Sequence, residues 1–169
     1  MKEEERLNDT VLHKNFVNRS YLLQRWQQLL EQGISAAGLI EFHTIHKNLL
    51  MAHSQAAYQP MRCLLSNIPS KEINAISECV INELILALKR GVKRKRHVNV
   101  LHHINGYLKR EIDSNDNPKL NDRQYRGETP LVVPVSLQHH YFRRHPDPYM
   151  AKQVYLQSHP DNLGLRNHI

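Results

Sequence analysis

The stretch GLIEFHTIHKNLLMAH, residues 38–53, decides how the chain folds. At about 100° per residue, Leu39, Phe42, Leu49 and Leu50 share one face of a helix. His43, His46 and His53 fall on the same face, whereas Glu41, Thr44 and Asn48 point the other way. Ser35 stands where it can N-cap this helix. The histidines are therefore expected to face inward or to line a cleft. His43 and His46 are three apart and could converge on a metal ion. Helical zinc pairs sit four apart, however, and no third ligand is adjacent, so no metal site is expected. Packed groups with hydrogen-bond partners, acid–base work and contact with a substrate or RNA all stay open for these side chains.

Helical patterning extends on both sides. From Ser20 onward, Leu22, Leu23, Trp26, Leu29 and Leu30 make one face, and Gly33 follows as a C-cap. Ser54 is a cap for a further helix that Pro60 must kink or delay. Ser70 opens another, with Ile73, Ile76, Val80, Leu84 and Ala87 inward and Gly91 at its end. In HVNVLHHINGYLKREI, the residues Val100, Leu101, Ile104, Tyr107, Leu108 and Ile112 form a stripe that includes His97. Asn99, His102, His103, Gly106 and Arg110 lie on or beside the opposite face. DSNDNPK, residues 113–119, reads as a loop. LVVPV fits a short strand, or a helix with Pro134 in its first turn that runs to about Arg144. Asp147 can cap a last short helix, with Pro148 in its first position, ending near Leu156. The expected architecture is all-α, a single-domain bundle of six or seven helices over 18–169 behind a flexible leader at 1–17.

The chain has 169 residues, enough for one domain with a substantial core. No apolar run approaches the length of a membrane span, and the acidic, polar start MKEEERLNDT has no secretory h-region. Cys63 and Cys79 form no paired metal-ligand motif, and a reduced, cytoplasmic setting is expected. The net charge of +7 is unevenly spread. Residues 1–88 carry 8 Lys/Arg against 9 Asp/Glu, and residues 89–169 carry 15 against 7. That asymmetry suggests a polyanionic partner, although a solvated basic surface would look the same.

The run KRGVKRKRH, residues 89–97, places six Lys/Arg in nine positions at a helix start. Cations there oppose the helix dipole, a cost that phosphate would relieve. With Arg123, Arg126, Arg143 and Arg144 the run could form an extended electropositive surface. Tyr107, Tyr125, Tyr141 and Tyr155 could supply stacking rings; Tyr107 reads as core, and Tyr141 in HHYFRR as the better stacking candidate. The sequence holds no RNP-type aromatic motif, GxxG clamp, Gly-rich phosphate loop or nucleophile motif. Glu41 and Asp147 are single carboxylates without a visible partner.

Four blocks together resemble the YbgA family: GLIEFHTIHKNLLMAHS, RKRHVNVLHHINGYLKR, YRGETPLVVPVSLQHHYFRRHPDPYMAKQVYL and the tail LRNH. The resemblance covers about 35–169. It carries over to His43, His46, Lys47, Arg96, His97, Asn99, His103, Gly106 and Tyr107. It continues through Pro130, Pro134, His140, Arg143, Asp147, Pro148, Tyr149, Gln153 and Tyr155. Members occur alone, or fused behind a cysteine-bearing domain similar to tRNA 4-thiouridine desulfidases. In the fused proteins the resemblance implies that this part grips the RNA. The desulfidase needs an iron–sulfur cluster, normally held by at least three cysteines. This chain has two, outside the matching blocks, so it is not expected to desulfurate by itself. The segment from Ile112 to Arg123 is short and polar for the helix the family implies, and Pro60 interrupts another.

The reading is an RNA-binding accessory domain, for tRNA above all, without a cofactor and leaning away from an enzyme. Lys47, Lys89, Arg90, Lys93, Arg94, Lys95, Arg96, Arg143 and Arg144 are the expected RNA contacts. His43, His46, His97, Asn99, His103, His140 and Tyr141 are expected to line a cleft for a nucleotide or phosphate. On this reading, Arg94→Ala with Arg96→Ala should weaken binding and lower its salt dependence. Two alternatives stand beside it. One is an enzyme that uses the histidine cleft on a modified nucleoside. The other is a module that recruits a separate desulfidase or repair enzyme.

Overall fold

A computed structural model describes residues 10–108, 126 and 129–157. Among these residues the chain forms seven α-helices and no strand. They are α1 (Thr10–Gln32), α2 (Ala36–His53), α3 (Gln55–Ser66), α4 (Ile73–Leu88), α5 (Arg94–Leu108), α6 (Val132–Arg144) and α7 (Pro148–Ala151). A 3-10 turn at Ser70–Glu72 leads into α4. The all-α, single-domain bundle is as expected. Arg110, Ile112, the loop at 113–119, Arg123, Tyr125, the tail at 165–168 and the first half of the assigned leader lie outside the described residues.

Side-chain caps set most of the boundaries. Gly33 closes α1 with φ +90°, a left-handed turn that costs glycine nothing. Ser35 Oγ accepts the Gly38 N–H at 3.0 Å and opens α2. A Cβ at Gly38 would stand 3.0 Å from Leu29 Cδ1, so a larger residue there would make the Leu29 side chain shift. Ser54 Oγ accepts the Ala57 N–H at 3.3 Å and opens α3. Pro60 neither delays nor ends α3, which continues to Ser66 with one backbone donor fewer. Pro134 sits in the first turn of α6, so LVVPV is helical. Asp147 Oδ1 accepts the Met150 N–H at 2.8 Å and opens α7, with Pro148 as its first residue. The helix ends at Ala151, and turns carry the chain on to Gln157.

α2 is the central element, packed against α3, α4 and α5. Leu22, Leu39, Leu50, Leu84, Leu88, Leu101 and Ile104 meet in the core. Each such side chain contributes about 1.5–3 kcal/mol when fully buried. Trp26 meets Phe42 edge-on, with ring centroids 5.1 Å apart. The segment after α7 clamps the outer side of α2. Val154 N–H donates to Ile45 O at 2.9 Å, Gln153 Nε2 donates to Thr44 O at 3.0 Å, and Lys152 pairs with Glu41 at 2.8 Å.

Several details depart from the helical-wheel reading. α1 begins at Thr10, inside the stretch assigned to a leader, and buries Lys14, Asn15 and Asn18. Those polar residues break the apolar period, so the pattern becomes visible only at Ser20. The buried face of α1 is narrower than drawn, because Leu23 and Leu30 are exposed. Asn48 is fully buried on α2, which packs against α3, α4 and α5. Tyr107 is exposed and Tyr155 is buried, the reverse of their assignments to core and stacking surface.

Candidate functional site

The expected histidine cleft is divided into two places. Beneath the surface, His46 Nδ1–H donates to Phe42 O at 2.7 Å, and the imidazole tilts against the Phe42 ring. His53 Nδ1–H donates to Arg90 O at 2.9 Å, and His97 Nδ1 pairs with the Tyr155 hydroxyl at 2.9 Å. His53, His97 and Tyr155 line an internal cavity of about 20 Å³ with Lys14 and Asn18, room for a single water molecule. Burial pushes His46 and His53 down to about 4, and His97 well below the ordinary value. These three imidazoles are neutral at pH 7.

The second place is open and centres on Lys47. Its ammonium lies over the Tyr58 ring at 5.7 Å and the Tyr149 ring at 6.0 Å. His43 stacks on Tyr58 at 5.8 Å, and Tyr107 stacks on Tyr149 at 5.4 Å. His103 meets Tyr107 edge-on at 5.8 Å. Four helices supply this row: α2 gives His43 and Lys47, α3 Tyr58, α5 His103 and Tyr107, and α7 Tyr149. The Asp147 cap therefore has a consequence two residues on, because it fixes the turn that aims Tyr149. Burial first, and then the charge of Lys47, lower both His43 and His103. Burial and the neighbouring tyrosines raise Tyr149 to about 12, so it stays a neutral ring. His43 Nε2 and His103 Nε2 are shielded from solvent and have no protein partner.

α5 joins this row to the basic run. Lys95, Asn99, His103 and Gly106 follow one another at helical spacing, and Lys95, Asn99 and Gly106 are exposed. Nothing lies within 4 Å of where a Gly106 Cβ would be, so packing does not require glycine there. Helices α3, α5 and α6 contain no Asp or Glu at all. The one carboxylate of α2, Glu41, is paired with Lys152. Among the described residues, the other α-helical carboxylates sit at Glu31 on α1 and at Glu78 and Glu83 on α4, while Asp147 caps α7 beside Tyr149.

The remaining candidates fall as follows. Lys89, Arg90, Lys93, Arg94, Lys95, Arg143 and Arg144 are exposed. Arg96 is not a free surface cation, because its guanidinium donates to the His53 carbonyl and ties the start of α5 to the end of α2. His140 and Tyr141 meet each other edge-on at 5.8 Å on α6. The cleft assignment is thus corrected: His43 and His103 join the Lys47 row, with Asn99 beside it on α5. His46 and His97 are interior. Among the described residues no group of His, Cys, Asp and Glu could hold a metal ion, and no helix is long and apolar enough to cross a membrane.

Sequence reasoning missed Tyr58 and Arg62, and misassigned Tyr107. Tyr58, Arg62 and Leu65 repeat at helical spacing on α3, a signal that was available but ambiguous between core and surface. Tyr107 lies at the edge of its stripe, where a wheel cannot separate a buried ring from an exposed one.

A family model described as "Protein of unknown function (DUF1722)" matches residues 47–160. The chain belongs to this family. A protein from Escherichia coli strain K12, the uncharacterized protein YbgA, is 28% identical over 153 residues, spanning 88% of this chain and 90% of that protein. The resemblance carried by the four sequence blocks is thereby shown. No solved structure matches.

Proposed function

We propose that this DUF1722 chain is an RNA-binding accessory module that captures its ligand electrostatically and holds it on aromatic rings. The observation that carries the reading is the α5 strip. It runs from the exposed cation Lys95 through Asn99 to His103 and Tyr107, on a helix that contains no carboxylate and starts in the basic run. Eight positions separate Lys95 from His103 along the strip, about 12 Å at 1.5 Å per residue. A backbone phosphate at the basic end and an unstacked base at the aromatic end are compatible with that span. Cations attract any polyanion, whereas the tyrosine and histidine rings favour a single-stranded or looped RNA. Transfer RNA is the substrate that the family resemblance implies, and 4-thiouridine the modification. A separate desulfidase would then supply the chemistry, because this chain offers two free, exposed cysteines and no cluster motif. Those free thiols also support a reducing, cytoplasmic setting.

The test is binding of the purified chain to total tRNA, thiolated and unthiolated, across a salt series. Tight binding with a steep salt slope is expected. The triple substitution Lys93→Ala, Arg94→Ala, Lys95→Ala should flatten that slope by roughly two units, at about 0.7–0.9 for each phosphate that is no longer neutralised. An unchanged slope in the triple variant would remove the capture surface. Absence of binding at low salt would remove the reading itself.

A further inference from the structure

Between α2 and α3 lies an open depression of about 460 Å³, with Tyr149 of α7 at its wall. Its volume falls in the range of roughly 300–1,000 Å³ used for small ligands. Two cations line it, Lys47 and Arg62, and no carboxylate does. Two aromatic rings line it as well, Tyr58 and Tyr149. Lys47 lies over both rings, a weak cation–π contact that an anion can readily draw away. Beside them, His43 stacks on the Tyr58 ring at 5.8 Å.

An inorganic anion would use the cations and leave the rings idle. An apolar ring would use the tyrosines and leave two cations facing it. A phosphorylated base uses both, its phosphate on the cations and its base on the rings. We propose that this depression is a binding site for one unpaired nucleotide, its base against Tyr58 and Tyr149 and its phosphate on Lys47 and Arg62. The inference deepens the RNA-binding reading and rests on it. It assigns the base-holding step to α2, α3 and α7, whereas the basic run of α5 provides capture.

The experiment measures affinity of the full chain for a short single-stranded oligouridylate, for an RNA duplex and for uridine 5′-monophosphate. Wild type is compared with Lys47→Met, which keeps the aliphatic stem, and with Tyr149→Phe and Tyr149→Leu. Oligouridylate binding should weaken roughly tenfold in Lys47→Met and in Tyr149→Leu, and hold in Tyr149→Phe, which keeps the ring. Duplex binding should respond to the α5 triple variant and ignore Lys47→Met. Monophosphate binding with the same Lys47 dependence would show that a free nucleotide also fills the site. If Lys47→Met binds the oligouridylate within twofold of wild type, the nucleotide site falls while the RNA-binding reading stands. If wild type binds no RNA and yet binds the monophosphate through Lys47, the depression stands and the RNA-binding reading falls. If it binds none of the probes, both fall.

Discussion

Arg94 and Arg96 are two positions apart in one basic run and do different work. Arg94 is exposed at the first position of α5, where phosphate could reach it. Arg96 commits its guanidinium to the His53 carbonyl, while the His53 ring donates back to Arg90 O. This reciprocal pair holds the α4–α5 connection against the end of α2. Arg96→Ala should therefore cost about 1.5–3 kcal/mol, the range for a hydrogen bond to a charged group. Arg94→Ala should stay within about 0.5 kcal/mol, as exposed substitutions do. Urea midpoints of the two single variants check this, and equal midpoints would refute the division. An Arg94→Ala, Arg96→Ala double variant thus mixes a binding effect with a stability effect, which is why Lys95 replaces Arg96 in the binding test. Lys47 presents the converse case. The sequence named it as an RNA contact from the family motif, and the arrival of Tyr58 and Tyr149 gives it its surroundings.

At the scale of elements, α5 has an inner face and an outer face under different constraints. The inner face, His97, Val100, Leu101, Ile104 and Leu108, is buried and was legible from its spacing. The outer face carries Asn99, His103 and Gly106, and the glycine weakens a helix interior without serving any packing contact. Gly106→Ala should therefore stabilise the protein by about 0.5–1 kcal/mol. If RNA approaches the backbone along this strip, the same substitution should weaken binding. Thermal melting and the tRNA titration read the two effects separately, and a drop in melting temperature would show that Gly106 has a structural role. Gly38 gives the contrasting behaviour. A Cβ there meets Leu29 at 3.0 Å, so Gly38→Ala makes the Leu29 side chain shift.

At the scale of the whole molecule, the bundle is built around imidazoles that must remain uncharged. The folded-state values of His46 and His53 are about 4, against the ordinary value of 6.5. As the pH falls, the unfolded chain takes up these protons first. Stability is thus fully present above about pH 6.5 and is lost progressively as the pH falls toward 4. The loss amounts to about 3 kcal/mol for each histidine, and His97 acts in the same direction. Urea unfolding at pH 7 and at pH 5 should show a clearly lower midpoint at pH 5, and equal midpoints would contradict the burial of neutral imidazoles. The interior imidazoles therefore add no charge to the electropositive face at pH 7.

The sequence by itself determined the helical class, the caps at Ser35, Ser54 and Asp147, the inward face of α2, and the concentration of positive charge after residue 88. These features are local or additive: periodicity, capping chemistry and charge count need no knowledge of what packs where. The family, too, was legible from four blocks of residues. Only the tertiary structure decided that Asn48 is interior, that Tyr107 is exposed and Tyr155 buried, and that Arg96 is an anchor. It alone brought Tyr58, Tyr149, His43 and His103 around Lys47. Those outcomes depend on packing between elements distant in sequence, α2 with α3, α5 and α7. A helical wheel gives the direction of a side chain from its own axis and says nothing of what stands there. At the central helix and at the edges of the apolar stripes, that missing neighbour settles whether a residue is core, anchor or site.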